Sequence, residues 1–238
     1  MPISDIQIVA FGNPLKNDNA YNLLSNCKSL GAKTNFLTCN NDESFSNFNH
    51  GNINWRELTN GIHWLVNSAE TILSGDSPKF ALGAGITFGE LEGARMVMIV
   101  DLPENPADLT ESWGFVINRI RQIHVLFLTP EALDAVSKLE GVSVENLLKE
   151  IRNKGLVPHV CCYIGSQNRA MVEHSLGSID VVTEESLDPL EWLARFICNL
   201  PLSEPGNSGV KSACLSLSLI HISEPTRPLY ISYAVFCL

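Results

Sequence analysis

The sequence predicts a three-layer α/β domain with a mostly parallel central sheet. Two observations lead to this prediction. Short apolar runs of strand length recur along the chain, and amphipathic helical patterns stand between them with short connections. The runs are almost continuously apolar, as in strands that are covered by helices on both faces. With 238 residues, of which 45% are hydrophobic and 18% charged, the chain has the composition of an ordinary globular domain.

Five apolar runs are predicted to form a parallel sheet, and a sixth is predicted to join it. The five lie at residues 6–11, 34–39, 96–100, 125–128 and 157–164, and the sixth at residues 62–67. The run at 157–164 should begin after Pro158, because proline has no N–H to donate to a neighbouring strand. Parallel strands joined by helices have right-handed connections. We therefore expect these strands side by side and not as an antiparallel sandwich.

Helical patterns with apolar residues every three or four positions occupy the connections. They cover residues 19–30, 109–121, 130–139, 144–153 and 188–200. Gly31 ends the first helix. The last helix has a complete start, with Asp188 as the N-cap, Pro189 at the first position and Glu191 at the third. Residues 40–54, rich in Asn and Ser, predict a loop, and the four tryptophans stand on apolar faces that are expected in the core.

Charge and hydropathy argue against several classes of partner. The net charge of −10 and the isoelectric point near 5.0 disfavour nucleic acid, since phosphate binding needs a basic face. No basic cluster suits a membrane surface, and no apolar stretch approaches the roughly 18 residues of a membrane-spanning helix. We therefore expect a cytoplasmic protein, whose oligomeric state the sequence leaves open. The cysteines form no C-x-x-C pair, so buried thiols are expected rather than a metal or redox site.

The chain is expected to divide into three parts. Residues 1–200 form the α/β domain, and residues 201–216, with two prolines and two glycines, predict a linker. Residues 217–238 resemble a translated sequencing adapter, in which LSLIHISEPTR matches a transposase adapter and ISYAVFCL a flow-cell primer. Because such scars do not belong to a fold, we expect an artefact in place of the natural C-terminal part. The alternative is a genuine amphipathic tail.

Candidate binding residues follow the predicted strands. Open parallel sheets bind ligands in the crevice beyond the carboxyl ends of their strands. The glycines and short polar groups at these ends suit a hydroxylated small molecule and a phosphate, although turns and helix caps use the same residue types. They are Gly12, Asn13, Pro14, Asp18, Asp42, Glu43, residues 68–71, Asp101, Glu104, Thr129, Glu131, Gly165 and Ser166. No Walker-type loop, dinucleotide fingerprint or nucleophile elbow occurs.

The run DNAYNLLSNCKSLGAKTNFLTCNNDESF, at residues 18–45, resembles the start of a ribokinase-like, PfkB-type carbohydrate kinase. In that family a glycine pair, three residues and an Asn open a helix that ends in Leu-Gly-Ala, followed by a strand and a Gly-Asp-Asp turn. FGNP at residues 11–14 and the segments at 52–68, 98–106, 125–133 and 154–166 resemble other parts of the family in the same order. The resemblance covers nearly all of residues 6–200.

The resemblance implies a ribokinase-like fold and ATP- and Mg²⁺-dependent transfer of phosphate to an alcohol group of a sugar or polyol. It implies that Asp18 and Asn22 contact the substrate, that Asp101 and Gly165 lie near the nucleotide phosphates, and that Asp188 is the catalytic base. The residues themselves also fit simpler interpretations. Asp188 can be explained as the N-cap of the last helix alone, and Asn22 as an ordinary polar residue of the first helix.

The chain departs from the family at two glycine motifs, one on the sugar side and one at the phosphates. The glycine pair is replaced by Asn17 and Asp18, and the Gly-Ala-Gly-Asp region by Glu184-Glu185-Ser186-Leu187-Asp188. Glycine lets a backbone approach a phosphate closely, whereas two glutamates repel a triphosphate. The connections at 11–18 and 48–52 are also too short for the small β lid of the family. We therefore expect an impaired kinase homologue. The alternatives are an inactive pseudokinase that binds small molecules and a gene fragment without function.

Overall fold

A computed structural model describes residues 2–13, 18–39 and 44–215 of the chain. In this part, eight strands form one sheet in the order β2-β1-β3-β4-β5-β6-β7-β8. They are β1 (Gln7–Phe11), β2 (Lys33–Leu37), β3 (Trp64–Ser68), β4 (Arg95–Val100), β5 (Val125–Leu128), β6 (His159–Ile164), β7 (Arg169–His174) and β8 (Gly177–Val182). The first six are parallel, and the last two are antiparallel. The predicted fold class and all six predicted strands are confirmed.

Eight α-helices cover the two faces of this sheet. They are α1 (Asn19–Ser29), α2 (Trp55–Thr59), α3 (Asp76–Leu91), α4 (Leu109–Asn118), α5 (Pro130–Glu140), α6 (Val144–Gly155), α7 (Pro189–Asn199) and α8 (Asn207–Leu215). Buried side chains of α2 to α6 pack on one face, and those of α1, α7 and α8 pack on the other. The described residues contain no second sheet that could serve as a lid.

Strand β4 shows why the apolar runs form this sheet. Met96 and Met98 belong to the core on one face, while Val97 and Ile99 belong to the core on the other. Successive side chains of a strand point to opposite faces, so a central strand needs an apolar residue at every position. Fully burying one such side chain contributes about 1.5–3 kcal/mol. The four tryptophans, each at most 3% exposed, are in the core as predicted.

Helix α3 is the largest element that the sequence pattern did not predict. Its glycines lower helix propensity, but packing requires at least one of them. A Cβ atom at Gly85 would lie 2.8 Å from the ring of Trp55, so this position lets α2 approach α3 closely. Helix α4 is shorter than predicted, because the chain tightens into a 3₁₀ turn at Ile120–Gln122.

The C-terminal described residues also differ from the prediction. Strands β7 and β8 were not expected, since their outward positions mix charged residues with Met171 and Val182, and only every second residue of β7 is buried. The predicted linker at 201–216 contains α8, which packs on α7 because Trp192 Nε1 donates a hydrogen bond of 3.0 Å to the carbonyl oxygen of Cys214. The predicted artefact at 217–238 lies outside the described residues. No helix in the described part of the chain has the length and apolar character needed to cross a membrane.

Candidate functional site

A cleft of about 420 Å³ lies at the carboxyl ends of β1, β3 and β4. This is the edge of the sheet where the strand ends predicted a binding crevice. We call it the acidic cleft and define it by its described lining residues. They are Asn13, Asp18, Asn19, Ser68, Glu70, Thr71, Leu73, Ser74, Asp101, Leu102, Pro103, Glu104, Asn105 and Asp108.

Asp18 joins the end of β1 to the start of α1. Its Oδ2 atom accepts a hydrogen bond of 2.8 Å from the N–H of Asn13, and its Oδ1 atom accepts from the N–H groups of Ala20 and Tyr21. A Cβ atom at Gly12 would collide with this carboxylate, so glycine is needed there. Burial raises the pKa of Asp18, while the three backbone hydrogen bonds act in the opposite direction. Asp18 is therefore both an N-cap and a wall of the cleft.

Asp101 holds three elements together at the base of the cleft. Its Oδ2 atom accepts a hydrogen bond of 2.9 Å from Asn19 Nδ2. Its Oδ1 atom accepts bonds of 2.8 Å from the N–H of Leu102 and 2.6 Å from Thr129 Oγ1. Thr129 in turn caps α5 through the N–H of Ala132. The carboxylate is thereby fixed in orientation, and an ionised carboxylate has about four acceptor positions, so one remains for a ligand.

The charged side chains among the described lining residues are acidic. Five of them are carboxylates, namely Asp18, Glu70, Asp101, Glu104 and Asp108, and none is Lys, Arg or His. Such a cleft attracts hydroxyl donors and cations and repels phosphates and carboxylates. The described residues nevertheless contain no group of three or more His, Cys, Asp or Glu side chains with the geometry of a metal site.

The two asparagines of α1 differ in position. Asn19, which the sequence did not single out, is the first residue of α1, lines the cleft and contacts Asp101. Asn22, predicted as a substrate contact, lies on the next turn of α1 and is not among the described lining residues. A signal for Asn19 exists in the sequence. It directly follows the N-cap Asp18, and the first residues of a helix that begins at a sheet edge face the crevice.

Gly165 and Asp188 lie together in a second region, two strands away from Asp101. We call residues 184–189 the entry segment of α7. Asp188 Oδ1 accepts a hydrogen bond of 2.9 Å from the N–H of Leu190, which confirms the N-cap interpretation. Ser186 Oγ donates to the carbonyl oxygen of Gly165 at 3.3 Å. A Cβ atom at Gly165 would lie 2.9 Å from the carbonyl oxygen of Leu187, so glycine permits this close approach.

The polar groups of the entry segment contact the protein itself. The N–H of Leu187 donates to the Tyr163 hydroxyl at 3.3 Å, and that hydroxyl donates to the carbonyl oxygen of Glu185. Arg195 forms ion pairs of 3.0 Å with Glu185 and 2.9 Å with Glu191. Pro189 has no N–H to offer. With the N–H of Leu187 engaged and the carboxylates of Glu184, Glu185 and Asp188 present, this segment is a poor match for the phosphates of ATP.

Solved structures with the same architecture exist. A fructokinase from Vibrio cholerae O395 bound to fructose, ADP and calcium is 12% identical, with a TM-score of 0.65 over 89% of this chain and 90% of that chain. The fold is that of the ribokinase-like sugar kinases. A PfkB protein from Polaromonas sp. JS666 has a TM-score of 0.67 at 10% identity, over 88% of this chain and 93% of that chain. Aminoimidazole riboside kinase from Salmonella enterica, complexed with aminoimidazole riboside and an ATP analogue, has a TM-score of 0.62 at 12% identity, over 88% and 90%.

The TM-scores show that the chain has a ribokinase-like fold. No protein-family model matches the sequence, and no curated protein matches it either.

Proposed function

We propose that this chain is a carbohydrate-kinase homologue that binds a sugar or polyol in the acidic cleft, and that its ATP- and Mg²⁺-dependent transfer of phosphate to an alcohol group is impaired. The observation that carries the proposal is the fixed Asp101 carboxylate, held by Asn19, Leu102 and Thr129 at the floor of the cleft. A rigid acceptor beside amide donors is what recognition of vicinal hydroxyls needs.

The cleft supports substrate binding through residues on two walls. Asp18 and Asn13 belong to the β1–α1 side, and Glu104 and Asp108 to the connection that follows β4. Carboxylates accept hydrogen bonds from sugar hydroxyls, and asparagine amides both donate and accept. Asn22, one turn along α1, would contribute only to a ligand that extends beyond the described lining residues. Two of the similar proteins were crystallised with fructose or aminoimidazole riboside, which agrees with a small hydroxylated ligand.

The entry segment supports the impairment. Phosphoryl transfer depends on N–H groups, cations and a base that are already positioned around the phosphates. Asp188 already caps α7 through the N–H of Leu190. To act as a base, its carboxylate would have to give up this hydrogen bond, at a cost of about 1 kcal/mol. Gly165 keeps its place at the end of β6, but the neighbouring carboxylates oppose a triphosphate. The residues present do not fit ATP and Mg²⁺ here, so no reaction step is assigned to them.

A second candidate function is a sugar-binding protein without catalytic activity. It is favoured by Arg195, the cation beside the entry segment, because this guanidinium is paired with both Glu185 and Glu191. An arginine held by two carboxylates is not available to a phosphate. The two candidates agree on ligand binding and differ only in turnover.

Turnover with a panel of sugars and Mg·ATP separates these candidates and tests the proposal. We expect sugars to raise the melting temperature, and any phosphorylated product, detected by mass spectrometry, to form below about 0.01 s⁻¹, compared with roughly 1–100 s⁻¹ for kinases. Asp101→Ala should abolish the sugar-induced shift, and Asn22→Ala tests the predicted contact on α1. Turnover near 1 s⁻¹ would contradict impairment, and equal shifts in the wild type and both variants would place the sugar elsewhere.

A further inference from the structure

Helix α3 exposes large apolar side chains on its outer face. Phe80, Phe88 and Leu91 are 59%, 39% and 73% exposed. Together with Ala84 they follow one another at three- and four-residue spacing, which places them on one side of the helix. We call these four residues the α3 face. The other side of α3 carries the buried residues that pack on the sheet. Exposed apolar patches of this kind mark interaction sites.

A groove between α3 and α4 continues the α3 face. It has a volume of about 550 Å³, and Phe115 and Arg119 of α4 line it. The guanidinium carbon of Arg119 lies 5.2 Å from the centre of the Phe115 ring. A Cβ atom at Gly83 would lie 2.9 Å from this guanidinium, so glycine lets α4 and α3 meet closely here. The two helices thus present one surface that stays open to solvent in the described part of the chain.

The order of charges along α3 indicates which partner fits this surface. Lys79 stands beside Phe80 near the start of the helix, and the exposed Glu90 stands near its end. Ala84 lies midway between Phe80 and Phe88, and the midpoint between Lys79 and Glu90 falls within one residue of it. An antiparallel second copy of α3 centred there would set Phe80 against Phe88 of the partner subunit. The same arrangement brings Lys79 next to Glu90 of the partner subunit, whereas a parallel copy would place like charges together.

We propose that the α3 face is the interface of a symmetric homodimer, in which two α3 helices pack antiparallel about Ala84. A small side chain at the crossing point lets the helix axes approach closely. A two-fold interface uses the same patch on both copies and closes, so it produces dimers and not filaments. Helix α8, where the described part of the chain ends, packs on the opposite face of the sheet. This position favours a second copy over the chain's own continuation as the occupant.

The size of the surface sets the expected affinity. Helix α3 has 16 residues and is therefore about 24 Å long, and two neighbouring helices are about 20 Å wide. Each protomer would bury roughly 500 Å², which is at the lower end for specific interfaces. We therefore expect a reversible dimer with a Kd of about 10–100 µM.

Sedimentation velocity of the full chain at protein concentrations from about 1 to 300 µM tests the dimer. We expect the average mass to rise from the monomer toward the dimer over this range. Leu91→Glu and Ala84→Glu each put a charge into the interface, so the Kd should rise at least about tenfold at an unchanged melting temperature. Leu176→Glu is the matched control, because Leu176 is 66% exposed but lies in the turn between β7 and β8. This variant should dimerise as the wild type does.

A charge exchange tests the antiparallel arrangement. Lys79→Glu and Glu90→Lys each place like charges side by side across the interface, so each should raise the Kd about fivefold. The double variant restores opposite charges at the same places, and its Kd should return to within about twofold of the wild-type value. Melting temperatures measured at low protein concentration show whether each variant is folded.

Three outcomes would overturn the inference. A monomer at every concentration would contradict it, and a lower melting temperature of Leu91→Glu would then show that another part of the chain covers the α3 face. A dimer that Leu91→Glu leaves intact would place the interface elsewhere. A dimer that Leu91→Glu weakens but the charge exchange does not restore would contradict antiparallel packing. None of these outcomes bears on sugar binding in the acidic cleft, so the proposed function is tested separately.

Discussion

The acidic cleft and the entry segment of α7 lie at the same edge of the sheet but use their polar groups in opposite ways. In the cleft, Asp101 is fixed by three donors beside an open space of about 420 Å³. In the entry segment, Glu185 and Asp188 contact the protein itself. Under the proposed function, this difference means that the ligand site of the fold is kept while its phosphate site has become an ordinary helix start.

The largest expected effect is the loss of stability at low pH, which arises outside both regions. It sets the pH range in which ligand binding to the two regions can be compared. Burial, together with the smaller effect of the nearby charge of His174, lowers the pKa of His159 to about 4. Between about pH 6.5 and pH 4 the unfolded chain binds a proton that the folded chain does not, so stability falls with acidification. The free energy of unfolding should decrease by up to about 3 kcal/mol over this interval.

Urea denaturation between pH 7 and pH 4 measures this loss. His159→Leu removes the titrating ring, so the variant should lose less stability than the wild type by a comparable amount. Equal losses in the two proteins would show that His159 is not the cause. Ligand binding in both regions should accordingly be measured at pH 6.5 or above.

A pair of aspartate variants compares the two regions directly. Asp101→Ala leaves Asn19, Leu102 and Thr129 without their acceptor, which should cost about 2 kcal/mol of stability and abolish sugar binding. Asp188→Ala removes only the N-cap of α7, which should cost about 1 kcal/mol with no change in sugar affinity. Denaturation and sugar titration of both variants provide the test. A loss of sugar affinity in Asp188→Ala would show that the two regions form one site.

The smallest expected effect is a gain of function in the entry segment. The double variant Glu184→Gly/Glu185→Gly removes two carboxylates and releases Arg195 from one of its ion pairs. We expect Mg·ATP affinity to rise about tenfold, because each of the two removed charges lowers the repulsion by roughly 0.7 kcal/mol in water. Glu191→Gln, which also releases Arg195 but keeps both glutamates, is the control. If the control gains as much affinity, the pairing of Arg195 limits ATP binding, and repulsion by Glu184 and Glu185 does not.

The sequence predicted the parallel core because central strands such as β4 and β5 must be apolar at every position. The same logic located Asp18, Ser68, Thr71 and Asp101 at strand ends, where the structure places them around one cleft. Helix α3 was not predicted, because its glycines lower helix propensity. Gly85 is there because it allows close contact with the ring of Trp55. The hairpin β7–β8 was missed because an edge hairpin buries one face and carries charge on the other.

The details of the site could not be predicted because they arise from tertiary contacts. Asn19 bonds to Asp101 across 82 positions of sequence, and nothing local marks that pair. Residues 201–216 predicted a linker because they contain two prolines and two glycines. Burial of Val210, Ala213 and Cys214 instead decides the structure of α8.

Calorimetric titration of one preparation with a sugar and, separately, with Mg·ATP tests the central claim most directly. The account predicts saturable binding of a sugar with a Kd below about 1 mM, and no saturable binding of Mg·ATP up to that concentration. This result would separate an intact ligand site from an entry segment that no longer receives phosphates. Micromolar binding of Mg·ATP, or nucleotide binding without any sugar binding, would contradict it.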